Sequence, residues 1–249
     1  EAGVALVKEL RKRRFFALII GINDYADDGL QDLDNPVKDA GELRELLQVH
    51  YAFDPQNIHM LVNPTRAAII ESLDALNEEI TERDQLLIFY AGHGLWDQSL
   101  NQGFWLPANA RTNSKAQWIS NSTLRDYIGG IKSKHTLLIS DACFSGGIFK
   151  ERSATFGNSR AILEMYKLPS RKAMTSGAMK TVPDKSVFIT YLLKSLINND
   201  QPLLSTEQLF RSFKIAVINN SPNGQVPQYG AIGQAGDEGG DFIFLRRLP

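Results

Sequence analysis

Strand-sized apolar runs alternate with longer segments of helical period along this 249-residue chain, and that alternation favours a sheet covered by helices. The run at residues 15–21 has no polar face, which is typical of a strand buried on both sides in a parallel sheet. Residues 85–90 and 135–140 have the same character. The chain is therefore expected to adopt a three-layer α/β fold, with about six mostly parallel strands flanked by helices.

The remaining segments complete one predicted domain over residues 1–249. Further strands are predicted at 57–62, 172–176 and 241–245, a small hairpin near 105–107, and helices beginning at 36 and covering 65–80, 121–128, 187–196 and 206–218. The segment at about 150–171 is polar and shows no convincing periodicity, which favours a flexible loop. The chain begins at Glu1 without a Met start or a secretory signal pattern, so we expect a processed product or a piece of a longer protein, with further domains or a regulatory partner possible.

Charge and hydropathy exclude several classes of partner. The 27 basic and 28 acidic residues give a net charge of −1, and no segment concentrates basic residues as a nucleic-acid surface does. Every apolar run is shorter than the roughly 18 residues that a membrane span needs. The single cysteine excludes an internal disulfide and favours a reducing compartment, so we expect a cytoplasmic protein.

That cysteine, Cys143, and one of the four histidines, His93, each follow a predicted buried strand and lie beside glycines. In an open α/β sheet the functional crevice lies outside the carboxyl ends of the strands, so the two side chains are expected to meet there. A thiolate nucleophile with an imidazole to carry the proton suffices for thiol catalysis, and the N–H groups of Gly94 and Cys143 would form an oxyanion hole. Taken singly, a cysteine or a histidine at the end of a buried strand more often has a structural role than a catalytic one. The other histidines, His50, His59 and His135, are interpreted as surface or strand-edge residues.

Four ordered motifs resemble the caspase-like clan of cysteine peptidases, and the resemblance is strongest to its prokaryotic metacaspase-like and paracaspase-like members. They are Leu-Ile-Ile-Gly-Ile-Asn-Asp-Tyr at 18–25, Asp-Ala at 39–40, Tyr-Ala-Gly-His-Gly at 90–94 and Ser-Asp-Ala-Cys-Phe-Ser-Gly at 140–146. In caspases the histidine precedes the cysteine by about 50 residues, and His93 precedes Cys143 by 50 here. The resemblance implies a caspase-like fold and a cysteine endopeptidase that requires no cofactor for its chemistry.

The resemblance also predicts which side chain is recognised. Caspases carry Gln two residues before the nucleophile and Arg directly after it, whereas this chain has Asp141 and Phe144. In metacaspases and paracaspases an acid at that place lines the pocket for the residue before the scissile bond. Asp141, with Asp39 and Ser176 beside it, is therefore expected to bind Arg or Lys of a protein or peptide substrate. Asp39 is equally well explained as a first-turn acid that interacts with the helix dipole, and Asp34 and Asp184 are weaker candidates for the pocket.

The sequence leaves three questions open: self-cleavage, calcium binding and the alternative functions. Six basic residues of the predicted loop, Lys150, Arg152, Arg160, Lys167, Arg171 and Lys172, would suit self-cleavage or would simply be solvated charges. The acids between Asp24 and Asp32 would attract the Ca²⁺ that some metacaspases require, although turn chemistry explains them as well and no dedicated metal site is predicted. A catalytically silent interaction module and a redox-sensing thiol protein are the alternative functions.

Overall fold

The elements below come from a computed structural model, which describes residues 2–142, 148–149, 159–177, 184–222 and 224–247. The strands are β1 (Phe15–Gly21), β2 (Ile58–Val62), β3 (Gln85–Ala91), β4 (Gly94–Asp97), β5 (Gln102–Trp105), β6 (Ile119–Ser120), β7 (His135–Asp141), β8 (Ser170–Thr175), β9 (Leu203–Ser205), β10 (Gln228–Ala231) and β11 (Ile243–Leu245). The helices are α1 (Ala2–Leu10), α2 (Pro36–His50), α3 (Arg66–Glu79), α4 (Asn121–Gly130), α5 (Ser159–Lys167), α6 (Val187–Ile197) and α7 (Thr206–Asn220).

A six-stranded sheet in the order β10-β8-β7-β3-β1-β2 forms the centre of the fold. All neighbouring pairs are parallel except β10 with β8, so the strands that precede the candidate site residues run in one direction. β3 and β7 are adjacent, which places their carboxyl ends side by side as the sequence predicted. The predicted α/β architecture is confirmed.

Helices cover both faces of this sheet, because alternate residues of each buried strand point to opposite sides. Phe15, Ala17 and Ile19 of β1 join one core with helices α1, α2, α5, α6 and α7, and the residues between them join a second core with α3 and α4. The continuous apolar character of β1, β3 and β7 follows from this double burial. No helix in the described parts of the chain is long and apolar enough to cross a membrane.

The edge of the sheet differs from the prediction. The run at 241–245 was expected to close the central sheet. The part of it that forms a strand, Ile243–Leu245, pairs instead with β9 in a separate two-stranded sheet. The sixth strand is instead Gln228–Ala231, which is half-buried along its length and therefore lacks the apolar run that marks the other strands. Helix α1, at residues 2–10, was not predicted from the sequence.

Part of the segment predicted as a loop at about 150–171 forms regular secondary structure. Residues 159–167 form α5, and β8 begins at Ser170, before the predicted strand. Arg171, assigned to an exposed loop, is buried, and its guanidinium donates to the carbonyls of Ile128 and Ile131 at the end of α4. Lys172 also belongs to β8, whereas Lys150 and Arg152 lie outside the described residues.

The interpretation of His135 as a surface or strand-edge residue is wrong. His135 begins β7 and is fully buried. Its Nδ1 lies 2.8 Å from Ser170 Oγ and its Nε2 lies 3.0 Å from the Tyr166 carbonyl, so both ring nitrogens have partners. Burial lowers the pKa of His135 to about 3. This histidine is a neutral structural group that attaches α5 to the sheet.

Candidate active site

His93 lies two residues beyond the end of β3, and its position is set by the register of the sheet. Ala91, the last residue of β3, is the register partner of Asp141, the last residue of β7. Cys143 follows Asp141 by the same two residues along the chain, but it lies outside the described residues. The structure therefore describes the histidine and both strand ends, and the nucleophile remains a prediction.

The imidazole of His93 is held on two sides. Nε2 lies 2.6 Å from the backbone carbonyl of Gln31, and the ring centroid lies 4.7 Å from that of Tyr25. A carbonyl only accepts hydrogen bonds, so Nε2 carries the proton in this contact. In the neutral ring Nδ1 is then the nitrogen that can accept a proton. The Gln31 carbonyl thereby selects the tautomer of the neutral ring that is protonated on Nε2.

The backbone of His93 is bound as closely as its side chain. The His93 N–H donates to the Tyr25 hydroxyl at 2.7 Å, and the Tyr90 hydroxyl donates to the His93 carbonyl at 2.6 Å. The same carbonyl accepts the N–H of Leu106 at 3.1 Å. Both backbone polar groups of His93 are therefore fixed in direction.

Gly94 begins β4, and the pairing of that strand determines where its N–H points. Gly94 lies opposite Trp105 of β5, and the flanking bond runs from Leu106 N–H to the His93 carbonyl. In an antiparallel ladder this pattern makes Gly94 and Trp105 a non-hydrogen-bonded pair. The Gly94 N–H consequently points away from β5, as a donor in an oxyanion hole must.

Two carboxyl groups predicted to recognise substrate, Asp141 and Asp39, are close enough to interact. Asp141 ends β7 and is 5% exposed, and its Oδ1 has no hydrogen-bond partner among the described residues. Burial raises the pKa of Asp141 to about 6. Burial and then the charge of Asp141 raise the pKa of Asp39, in the first turn of α2, to about 7. Each carboxyl group is thus desolvated and forms no salt bridge within the described ranges, a condition that a bound guanidinium or ammonium group would relieve.

Ser176 and Ser186 surround Asp141. The Ser186 hydroxyl, and to a smaller extent the Ser176 hydroxyl, oppose the rise in the pKa of Asp141. Ser186 caps α6 by accepting the N–H of Ile189 at 3.1 Å. The structure thus brings together His93, Gly94, Asp141, Asp39 and Ser176 at the carboxyl edge of the sheet.

Asp184 differs from these residues, because its side chain is already occupied. It accepts the N–H groups of Asp34 and Asn35 at 2.9 and 3.1 Å and the Asn35 side-chain amide at 2.8 Å. Asn35 is the residue that precedes α2, so Asp184 fixes the start of the helix that carries Asp39. Asp184 therefore holds the segment that leads into α2, and Asp34 takes part through its backbone N–H.

The acids considered for Ca²⁺ serve as hydrogen-bond acceptors in the loop between β1 and α2. Asp27 accepts the N–H groups of Gly29 and Thr112, and Asp32 accepts the N–H of Tyr25 at 2.8 Å. Within the ranges that the structure describes, no group of three or more His, Cys, Asp or Glu side chains could hold a metal ion. These acids shape the loop that places Tyr25 and Gln31 against His93.

This geometry agrees with comparisons against known proteins. Residues 14–233 match the family model described as the caspase domain. The chain belongs to the caspase domain family. Metacaspase-6 of Arabidopsis thaliana is 29% identical over 162 residues, which cover 57% of this chain and 41% of that protein, so the chain spans less than half the length of this curated relative.

Solved structures share the fold of this family member at low sequence identity. Caspase-1 of Spodoptera frugiperda superposes with a TM-score of 0.63 at 16% identity, covering 91% of each chain. The Drosophila initiator caspase Dronc gives 0.62 at 14% identity, covering 93% of this chain and 83% of its own. A protein of Geobacter sulfurreducens gives 0.60 at 18% identity, covering 95% and 98%. The caspase-like fold expected from the motifs is confirmed.

The residues that sequence reasoning missed are those that hold His93 by backbone contacts. Tyr25 and Tyr90 both lie inside the motifs at 18–25 and 90–94, but nothing in these motifs indicates that their hydroxyls converge on the backbone of His93. Gln31 acts through its carbonyl, which every residue possesses, and no sequence pattern could have found it.

The raised pKa of Asp39 predicts that removing its charge stabilises the protein. The folded state keeps the Asp39 proton up to about pH 7, whereas an unfolded chain releases it near pH 4. Wild-type stability therefore falls as the pH rises between these values. The Tm advantage of Asp39→Asn should grow from pH 4 to pH 7, level off above it and reach a few degrees, measured by thermal unfolding.

The matched control is Asp126→Asn, which alters an exposed acid on α4. Its Tm difference from wild type should not vary over the same range. A Tm difference for Asp39→Asn that stays constant with pH would show that the carboxyl of Asp39 is not desolvated.

Proposed function

We propose that the chain is a cysteine endopeptidase that cleaves after Arg or Lys. The observation that supports this most directly is the pair of desolvated carboxyl groups, Asp141 and Asp39, beside the strand end that leads to Cys143. A basic side chain is the partner that removes both the burial cost and the mutual repulsion, and Arg can bind a carboxylate through two parallel hydrogen bonds. An acidic or apolar side chain would do neither.

The proposed reaction uses the thiol of Cys143 and the imidazole of His93. Nδ1 of His93 takes the thiol proton, the sulfur attacks the scissile carbonyl, and the N–H groups of Gly94 and Cys143 hold the oxyanion. Collapse of this intermediate breaks the C–N bond, and the protonated imidazole gives its proton to the leaving amine. Water, deprotonated by His93, then attacks the acyl-enzyme and releases the acid and the free thiol.

A direct test uses fluorogenic peptides that end in Arg, Lys or Asp before the reporter. Wild-type protein should cleave the first two and leave the third intact, and Cys143→Ala and His93→Ala should each lose at least about 1,000-fold in kcat/KM. Each assay is run with and without Ca²⁺, because calcium dependence is a separate prediction. Absence of cleavage by folded wild-type protein under both conditions would refute the proposal.

An active-site-directed electrophile that carries an Arg side chain separates the proposal from its alternatives. A peptidase should be labelled at Cys143, and excess Arg-ended peptide should protect it. A redox-sensing thiol would instead react with peroxide and show no preference for the Arg-bearing reagent. A silent interaction module would react with the Arg-bearing electrophile and with peroxide no faster than a free thiol does.

Self-cleavage is a further part of this proposal, with a restricted set of candidate bonds. Arg171 is 7% exposed in the central sheet, so we expect the bond after it to resist cleavage. Lys150 and Arg152, before α5, are the expected positions. Incubated wild-type protein should yield fragments ending there, identified by mass spectrometry, while Cys143→Ala stays intact. A fragment ending at Arg171 in protein that remains folded would contradict this expectation.

A further inference from the structure

We propose that Tyr25 and Tyr90 are positioning residues for His93 and act together as one closed ring of hydrogen bonds around its backbone N–H and carbonyl. This inference rests on the proposed function, since it concerns the group assigned as general base. Neither tyrosine needs to touch substrate. Their effect would be to fix the direction in which the imidazole can exchange a proton.

The ring has three members: the backbone of His93 and the hydroxyl groups of Tyr25 and Tyr90. The His93 N–H donates to the Tyr25 hydroxyl at 2.7 Å, and the Tyr90 hydroxyl donates to the His93 carbonyl at 2.6 Å. The two phenol groups also hydrogen-bond to each other, and the Tyr90 hydroxyl has the Leu106 carbonyl, at 3.2 Å, as a second possible acceptor. Tyr90 is fully buried and Tyr25 is 9% exposed, so solvent competes little with these bonds.

Gly92 is the residue that allows the two phenols to converge. A Cβ on Gly92 would lie 2.9 Å from the Tyr25 hydroxyl oxygen and 3.0 Å from that of Tyr90. Any other residue would therefore push the hydroxyls apart or move the turn that carries His93. The Gly of the Tyr-Ala-Gly-His-Gly motif is thus explained by a close approach of side chains.

The ring is also connected to the strand that leads to Cys143. The Tyr90 ring stacks on Trp105, with centroids 4.2 Å apart and an angle of 5° between the planes. Trp105 Nε1 lies 3.3 Å from Ser140 Oγ, and Ser140 is the register partner of Tyr90 in the neighbouring strand β7. A movement of Tyr90 would consequently be transmitted to both strand ends that supply the proposed catalytic pair.

Tyr25 adds a contact on the imidazole itself. Its ring lies 4.7 Å from that of His93, and its own N–H is held by the Asp32 carboxylate at 2.8 Å. Asp32 directly follows Gln31, whose carbonyl accepts the Nε2 proton. The Tyr25 hydroxyl, the Tyr25 ring and the Gln31 carbonyl therefore move as one unit against His93.

The test compares Tyr25→Phe, Tyr90→Phe and the double variant, with Tyr127→Phe as matched control, because the Tyr127 hydroxyl bonds to Asp74 on the α3 and α4 side. Two readouts are taken: kcat and KM on an Arg-ended peptide, and the pH dependence of Cys143 alkylation by iodoacetamide. Cys143 is the only thiol, so alkylation reports on it alone. Thermal unfolding first establishes that each variant is folded, and if Tyr90→Phe is not, Tyr25→Phe decides.

We expect each single variant to lower kcat by about 10- to 100-fold with little change in KM, as misplacement of a catalytic group does. Alkylation should shift to higher pH, towards that of His93→Ala, because a displaced imidazole stabilises the thiolate less. The double variant should resemble either single variant, since one broken bond opens the ring.

Multiplicative effects in the double variant would overturn the closed ring, and unchanged kcat and alkylation in folded single variants would overturn the positioning role altogether. If wild-type protein cleaves no peptide while the alkylation profiles still shift, the proposed function fails and the positioning of His93 stands. If wild-type protein is active and only Tm changes in the variants, the two tyrosines are structural and the inference is wrong.

Discussion

Asp141→Asn is expected to abolish the preference for arginine and to lower kcat/KM on Arg-ended peptides by at least about 100-fold, roughly 3 kcal/mol, because a buried guanidinium would lose its charged partner. Citrulline has nearly the shape of arginine without its charge. Wild-type protein should therefore discriminate strongly between Arg and citrulline peptides, and in Asp141→Asn the two rates should approach each other. Both are measured as kcat/KM on otherwise identical peptides.

The variant should remain folded, because the pKa of Asp141 is raised and an amide avoids the cost of burying a charge there. Asp126→Asn, on the exposed side of α4, is the control and should keep the wild-type ratio of Arg to citrulline. If Asp141→Asn kept that ratio as well, Asp141 would not contact the substrate side chain, and the assignment of the pocket would be wrong.

Gly21→Ala should destabilise the fold and impair the site at the same time. Gly21 ends β1, and a Cβ there would lie 2.8 Å from both the Pro36 carbonyl oxygen and the Val37 Cα. These are backbone atoms at the start of α2, so they cannot rotate away and the helix itself must move. We expect a loss of about 1–3 kcal/mol in the free energy of unfolding from overpacking.

The same displacement carries Asp39, in the first turn of α2, away from its position relative to Asp141. Activity on Arg-ended peptides should therefore fall even at temperatures where the variant is fully folded. Urea unfolding gives the stability change, and kcat/KM at low temperature gives the effect on the site.

Gly130→Ala is the matched control for this substitution. Gly130 ends α4, and a Cβ there would have nothing within 4 Å, so this change should be neutral or stabilise by about 0.5–1 kcal/mol. Equal effects of the two substitutions would show that the close approach of β1 and α2 is not rigid.

How much of the fold the sequence predicted depends on how deeply each strand is buried. β1, β3 and β7 are buried on both faces, so their apolar runs marked them within one or two residues. β10 is an edge strand that remains half-buried, and its composition resembles a loop. The run ending in β11 is apolar, but hydrophobicity does not specify a pairing partner, and this strand pairs with β9 outside the central sheet.

The same distinction applies to the candidate site. His93, Gly94, Asp39 and Asp141 were found because motifs record side-chain identity, and the parallel sheet brings them to one edge. The contacts that orient His93 join its backbone N–H and carbonyl to two phenol oxygens, and its imidazole to the Gln31 carbonyl. Such contacts depend on three-dimensional convergence, which no local pattern encodes.

The placement of Arg171 has a kinetic consequence for a peptidase of basic specificity. Its guanidinium donates hydrogen bonds to carbonyls at the end of α4, and the peptide bond between Arg171 and Lys172 lies within β8 of the central sheet. This bond becomes accessible to the active site of another copy only in a molecule that has unfolded. Under the proposed specificity, folded protein should therefore digest its unfolded copies, and on storage the loss of folded protein should follow second-order kinetics in protein concentration, slowed by any ligand that stabilises the fold.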